Sequence, residues 1–259
     1  MKIVVCVKYV PDPNLPVQVD MASRRLNRAT ASSLLDPADE YGLEVALQTV
    51  EKAGGEVVVV TMGPAAAEDG LRRAMAMGAE RAIHLQDEAF AGSDALGTAT
   101  ALAAAIRAEN PDLVICAVES TDAYTGVVPG ALAELLNLPQ VTFARSVEFD
   151  GGSVKVQRAT DTGYQTIQAQ LPALLTVTAS VAEPRYPSFK LLMQAKKKPI
   201  EVKDAATLGV AGAVGQAGAK ERVLAIEQVK EEKQGVTITD EGGDSVDQII
   251  AFLKQIQIA

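Results

Sequence analysis

The sequence predicts an α/β fold: a doubly wound, mostly parallel sheet with an antiparallel extension and a C-terminal arm. Three observations predict it. Through about the first 140 residues, short β-branched runs, apolar almost throughout, alternate with Ala- and Leu-rich segments of helical period, as expected of strands covered on both faces and their crossover helices. After Pro139 the texture changes to polar-apolar alternation broken by Asp-Gly turn signals, the pattern of antiparallel strands. Near the end, a Gly/Ala-rich stretch leads into an amphipathic segment. At 259 residues and 48% hydrophobic, the chain can bury a core of that size.

The elements follow in order. IVVCV (3–7), EVVVVTM (56–62), RAIHL (81–85) and DLVICAV (112–118) are the strands. Between them, 38–55, 64–79 and 93–111 carry 3.6-residue periodicity with Gly or Pro at their ends, so they are helices. Alternation of this kind closes into a sheet whose ligand crevice lies beyond the carboxyl ends of the strands, near a topological switch point. Residues 143–179 read as an antiparallel meander extending the same sheet, turning at Asp150-Gly151-Gly152 and Asp161-Thr162-Gly163 and ending in a core strand, ALLTVTA. GVAGAVGQAGAKER (209–222) reads as a connector low in apolar anchors, and VTITDEGGDSVDQIIAFLKQIQI (236–258) as a strand and a last helix. The domain reading is 1–203 for the α/β body and 204–259 for a linker and an arm that packs on a partner subunit.

Composition excludes several functions. Asp and Glu outnumber Lys and Arg by 33 to 24, aromatics are 4% and Trp is absent, so neither a phosphate-neutralising face nor base-stacking platforms are available for nucleic acid. No apolar run approaches the roughly 18–20 residues of a membrane span. MKIVVCVKYV reads as a first strand and not a signal peptide, which places the protein in the cytoplasm, or in the mitochondrial matrix if eukaryotic. Cys6 and Cys116 lack metal-site spacing and read as reduced core thiols. His84, the only histidine, sits in a strand and reads as a satisfied core residue. There is no GxSxG, HExxH or Walker loop, and KYVPDPN stands where a dinucleotide GxGxxG would follow the first strand. No catalytic residue is in view.

Two stretches carry chemistry. ESTDAYTGVVPGALAEL (119–135) follows a strand and enters a helix, where Ser, Thr and Gly can offer hydroxyls and N–H groups to a phosphate. It reads equally as an ordinary cap, with Thr121 or Asp122 capping a helix whose core face is Leu132, Leu135 and Leu136. Met62-Gly63-Pro64 and Leu35-Asp36-Pro37 lie where they could complete a site. The second stretch, EPRYPSFKLLMQAKKKPIE (183–201), is basic and greasy in an acidic chain. Lys196, Lys197 and Lys198 fit a solvated helix end. Phe189, Leu192 and Met193, at i, i+3 and i+4 between Pro187 and Pro199, describe an exposed stripe rimmed by cations, a docking surface for acidic partners.

At these residues a family resemblance appears. TDTGYQTIQAQLPALLTVTASVAEPRYPSFKLLMQAKKKPIE, with VVCVKYVPDP, DPADEYGLEVAL, TMGPAAAEDGLRRAMAMGAERAIHL and LAELLNLPQVT in order, resembles the β subunit of electron transfer flavoproteins over nearly the whole chain. The resemblance implies a Rossmann-like body of the adenine nucleotide alpha hydrolase-like type and a heterodimer with an α subunit that carries most of the FAD. It also implies an AMP held structurally in this subunit, donor dehydrogenases such as acyl-CoA dehydrogenases, and a downstream acceptor such as a quinone reductase. Matched motif by motif, the cofactor-binding residues are Cys6, Val7, Asp36, Pro37, Ala38, Asp39, Met62, Ser120, Thr121, Asp122, Ala123, Tyr124, Thr125, Gly126, Val127 and Val128. Arg185, Tyr186, Phe189, Leu192, Met193, Lys196, Lys197 and Lys198 match the partner-docking loop, with Phe189 as its anchor. The loop at 122–125 and Pro13 depart from the usual pattern. A bifurcating relative, with FAD in place of AMP and use of NADH, and a stand-alone adenine-nucleotide-binding protein remain the alternative readings.

Overall fold

The structure is a computed structural model that describes residues 1–16, 18–28, 32–227, 235, 237–240 and 242–256. Its elements, in chain order, are β1 (Lys2–Cys6), β2 (Tyr9–Pro11), β3 (Val19–Asp20), β4 (Arg25–Leu26), β5 (Ser33–Leu35), α1 (Pro37–Ala53), β6 (Glu56–Met62), α2 (Glu68–Met77), β7 (Arg81–Leu85), α3 (Ala95–Glu109), β8 (Leu113–Ala117), α4 (Val128–Leu136), β9 (Gln140–Asp150), β10 (Ser153–Thr160), β11 (Gly163–Gln170), β12 (Ala173–Val177), α5 (Phe189–Ala195), β13 (Glu201–Lys203), α6 (Gly215–Gly218) and α7 (Ser245–Gln255).

Nine strands form one sheet in the order β11-β10-β9-β12-β8-β1-β6-β7-β13. From β1 the chain moves outward through β6 and β7, then crosses back to β8 on the other flank, and those pairs are parallel. The doubly wound α/β class is therefore the fold, and its switch point falls between the carboxyl ends of β1 and β8. Alternate strand residues feed opposite layers. Ile3, Val5, Val57, Val59, Leu113 and Ile115 meet Leu43 and Leu47 of α1 and Leu71 and Met75 of α2. Val4, Val58, Val60 and Val114 meet Leu102 and Ile106 of α3 and Leu132 of α4.

β9, β10 and β11 form the expected antiparallel meander. β12, however, leaves the meander's edge and inserts between β8 and β9, parallel to both. The reason is compositional: all five residues Ala173–Val177 are buried, and a strand without a polar side needs neighbours on both flanks.

Two compact units divide the chain, Met1–Leu224 and Ala225–Ala259. The α/β body thus continues some twenty residues beyond the boundary read at Lys203. The stretch read as a free connector is packed: Val210 and Val214 are buried with the α3–α4 core, and Gly215, at φ +70°, lies so close to Ala89 that a Cβ would sit 2.2 Å from its carbonyl oxygen. Asp94 holds the same segment, accepting N–H bonds from Gly97 at the start of α3 and from Lys220 and Glu221. In the second unit, α7 forms as read, with Val246, Ile249 and Ile250 exposed. The strand read at VTIT is not seen: Thr237–Asp240 are irregular, while Val236, Glu241, Gln257 and Ile258 lie outside the described residues.

Candidate functional site

The switch point is built by two carboxylates that staple loops together. Asp36 caps α1 through the Ala38 N–H (3.0 Å) and, with its other oxygen, accepts the Thr121 N–H across the crevice at 2.8 Å. Asp39, in the first turn of α1, accepts the Lys8 N–H just past β1 at 2.7 Å and lies against the Ala117 N–H at the end of β8. Both side chains are buried. Burial, with Asp36 as a like-charged neighbour, pushes the Asp39 carboxyl well above its ordinary range.

A second carboxylate cluster fixes the loop after β8. The Asp122 side chain is only 1% exposed, and it accepts the Lys8 ammonium at 2.6 Å, the Ser120 hydroxyl at 2.8 Å and a two-nitrogen fork from Arg28 at 2.9 and 2.7 Å. Burial works against the charge, but Lys8 and Arg28 outweigh it and hold this carboxyl below its usual value. Asp122 is therefore not a helix cap, and neither is Thr121: α4 starts at Val128, with Val127 before it and no side-chain cap. Tyr124 at φ +49° and Gly126 at φ +65° carry the loop round. Among the described residues, the N–H groups of Thr125, Gly126 and Val127 have no acceptor in the chain, and the Thr121 hydroxyl is buried without a partner.

The residues singled out in sequence thus lie at the carboxyl ends of β1, β6 and β8, where the Cys6 and Cys116 thiols meet. Met62 ends β6, half-buried. Ala123, Tyr124, Thr125 and Val127 are exposed. A cleft of about 250 Å³ opens where Thr121 and Asp122 face Pro11, Pro13, Leu15, Leu26 and Asn27 of the segment that leaves β2. A larger one, about 540 Å³, lies among Tyr9, Glu40, Asp69 and Arg73 and touches only Leu35 and Pro37 of the expected site. Of the two, only the smaller cleft is lined by Thr121 and Asp122. Sequence reasoning missed Lys8 and Arg28. Lys8 could have been found, since it directly follows the first strand; Arg28 lies 94 residues from Asp122 in an irregular stretch and gave no signal. His84 is a satisfied core residue as read, its Nε2 3.1 Å from the Gly63 carbonyl oxygen.

The basic stretch lies elsewhere on the body. Phe189 is 79% and Tyr186 90% exposed, and Leu191, Leu192 and Met193 are exposed as well. Ser188 caps α5 by accepting the Leu191 N–H. The cations divide into two groups. Lys190, Lys196 and Lys197 stand in solvent, whereas Arg185 is paired with Glu44 and Glu51 and the Lys198 ammonium donates to the Ala79 carbonyl.

Comparison with known proteins agrees over the same residues. The electron transfer flavoprotein domain model matches residues 25–208. The chain is 42% identical over 258 residues to the electron transfer flavoprotein subunit beta of Mycobacterium leprae, with 97% of each chain covered. To that of Thermoanaerobacterium thermosaccharolyticum it is 38% identical over 255 residues, 98% of each. The chain belongs to the electron transfer flavoprotein β-subunit family. Among its relatives is also the caffeyl-CoA reductase-Etf complex subunit CarD of Acetobacterium woodii, 38% identical over 204 residues and 78% of each chain. As an electron transfer flavoprotein subunit, the chain serves electron transport. No helix among the described residues is long and apolar enough to cross a membrane.

The donor set at the switch point fits a phosphate group. The partnerless Thr121 hydroxyl, the free N–H groups of 125–127 and the uncapped start of α4 are the donors that a phosphate needs.

Proposed function

We propose that this chain is the β subunit of a carrier-type electron transfer flavoprotein. It pairs with a flavin-bearing α subunit, accepts electrons from dehydrogenases such as the acyl-CoA dehydrogenases of fatty acid oxidation, and passes them toward an acceptor such as a quinone reductase. The FAD, when bound at the subunit interface, supplies the redox chemistry. This chain contributes binding and orientation and no reacting group. AMP has a structural role at the switch point, its phosphate at Thr121 and the N–H groups of 125–127, beside Cys6, Asp36, Asp39 and Met62.

The observation that carries this reading is the exposed apolar stripe of α5, Phe189 foremost, beside Lys190, Lys196 and Lys197. A carrier must bind many donors briefly. One apolar anchor contributes about 1.5–3 kcal/mol when buried, and the surrounding positive charge raises the encounter rate without slowing release. Phe189→Ala in the αβ complex should raise the KM for the carrier in a dehydrogenase assay by about tenfold, the equivalent of about 1.4 kcal/mol, with flavin content and complex stability unchanged. Loss of flavin with an unchanged KM would make the segment structural and end the docking reading.

A second reading is a bifurcating flavoprotein subunit holding FAD in place of AMP. The relationship to the CarD subunit favours it, as does exposed Tyr124 in the departing loop. The cofactor inventory of the purified pair separates the two.

A further inference from the structure

α5 does not hold itself. It is seven residues long, Ala195 is its only buried residue, and a helix this short is marginal on its own. Two arginines bracket it instead. On the N-terminal side, Arg185 forks onto Glu44 of α1, Nε to Oε2 at 2.8 Å and Nη2 to Oε1 at 2.9 Å, and also donates to Glu51. Its backbone N–H donates to the same Glu44 at 3.1 Å. Glu44 and Glu51 stand two turns apart on one face of α1, and the Glu44 side chain is 4% exposed, so the bracket is anchored in the body of the protein.

On the C-terminal side, Arg72 of α2 donates Nη1 to the carbonyl oxygens of Ala195 (2.7 Å) and Lys198. These carbonyls terminate α5, where a cation also meets the negative end of the helix. Glu68 holds the other face of Arg72, at 2.8 and 3.0 Å. The guanidinium of Arg73 lies 5.9 Å from the ring centre of Tyr186. All of these groups belong to α1 and α2 or to the flanks of α5. Phe189, Leu191, Leu192 and Met193 remain exposed and take no part in the brackets.

We propose that Arg185, locked by Glu44, and Arg72 are positioning residues that present α5 ready-made, so that a donor meets an ordered apolar anchor and need not order it on binding. The inference rests on the docking reading above. Its occupant is a donor flavoenzyme whose surface offers an apolar pocket edged by carboxylates, the complement of Phe189 within Lys190, Lys196 and Lys197. Without a bracket, only part of the population holds α5 in the competent form, and apparent affinity falls by that fraction. The step affected is docking. Electron transfer within the docked complex is untouched, because neither arginine is part of the stripe.

The test uses the αβ complex with an acyl-CoA dehydrogenase as donor, varying carrier concentration. Arg185→Gln should raise the KM for the carrier about tenfold, as for a competent fraction near one tenth, with kcat within about twofold and flavin content unchanged. Hydrogen exchange at the Leu192 and Lys196 amides, which bond to Ser188 and Leu192 carbonyls, should quicken. Arg185→Lys should recover only part of the KM, because a single ammonium cannot reproduce the fork. Arg72→Gln should act in the same direction. Faster exchange with an unchanged KM overturns the inference, as does a fall in kcat at constant KM. Should Arg185→Gln fail to assemble, Glu51→Gln, on the exposed side, gives the same contrast at smaller amplitude: a raised KM supports the bracket and an unchanged KM overturns it. If Phe189→Ala raises the KM and the bracket variants do not, the bracket alone fails. If Phe189→Ala leaves the KM unchanged, the docking reading fails first.

Discussion

Asp39 is the residue at which structure and function pull in opposite directions. Its carboxyl staples the ends of β1 and β8, yet burial and the neighbouring Asp36 disfavour its charged form. A group whose folded pKa is raised loses stabilising effect as pH climbs from the unfolded value, about 3.9 for Asp, through the folded one. Asp39→Asn should therefore raise the melting temperature at pH 7 by about 2–4 °C, the equivalent of about 1 kcal/mol in a domain of this size, and give no gain near pH 3. A lower melting point at pH 7 would show that the ionised form is the one the staple needs. Asp122 is the opposite case, a buried carboxylate with two cationic partners. Asp122→Asn should cost about 2 kcal/mol, since charged hydrogen bonds contribute about 1.5–3 each and both cations retain solvent contact; thermal melts of the complex measure it. At this scale the sequence was only half legible. Residue types marked the 119–135 loop and Asp36 as parts of a site, and the family resemblance added Asp39, but which carboxylate binds what depends on contacts such as Thr121 to Asp36, 85 residues apart, which no local pattern encodes.

At the scale of elements, local period was enough to find β1, β6, β7, β8 and helices α1 to α3, because each satisfies its pattern within its own residues. Two elements were misjudged for lack of partners in view. β12 is the core strand it reads as, but it lies parallel between β8 and β9 and not at the antiparallel end of the meander, since strand order depends on what its apolar faces cover. The 209–222 stretch reads as a loose connector because Gly and Ala dominate it, but those small residues let the backbone approach Ala89 and Ala91. Gly215→Ala should break this approach: hydrogen exchange at the Gln216 and Gly218 amides should quicken while the strands keep their protection. If those amides stay protected, the segment is held by something other than close backbone contact. α5 was legible as an exposed stripe, but its brackets were not. Glu44 is held below the ordinary glutamate range by Arg185 and Gln48, which outweigh its burial, so this bracket's contribution is full above the unfolded value and disappears as pH falls through the depressed one. Limited proteolysis near Phe189 should accordingly stay slow down to about pH 4.3, the unperturbed glutamate value, and accelerate only below it; acceleration already at pH 6 would contradict the bracket.

Across the whole molecule, the proposed function falls on two places. The carboxyl ends of β1 and β8 form a pre-stapled crevice, the proposed nucleotide site, while α1 and α2, on one face of the same sheet, hold α5, the proposed docking helix. On the proposed function, this chain is an electron-carrying subunit that holds an adenine nucleotide while flavin chemistry proceeds on its partner. The most direct test is the cofactor inventory of the co-expressed pair, released by denaturation and weighed by mass spectrometry. One FAD and one AMP per heterodimer is expected of the carrier; two FAD and no AMP would contradict that function.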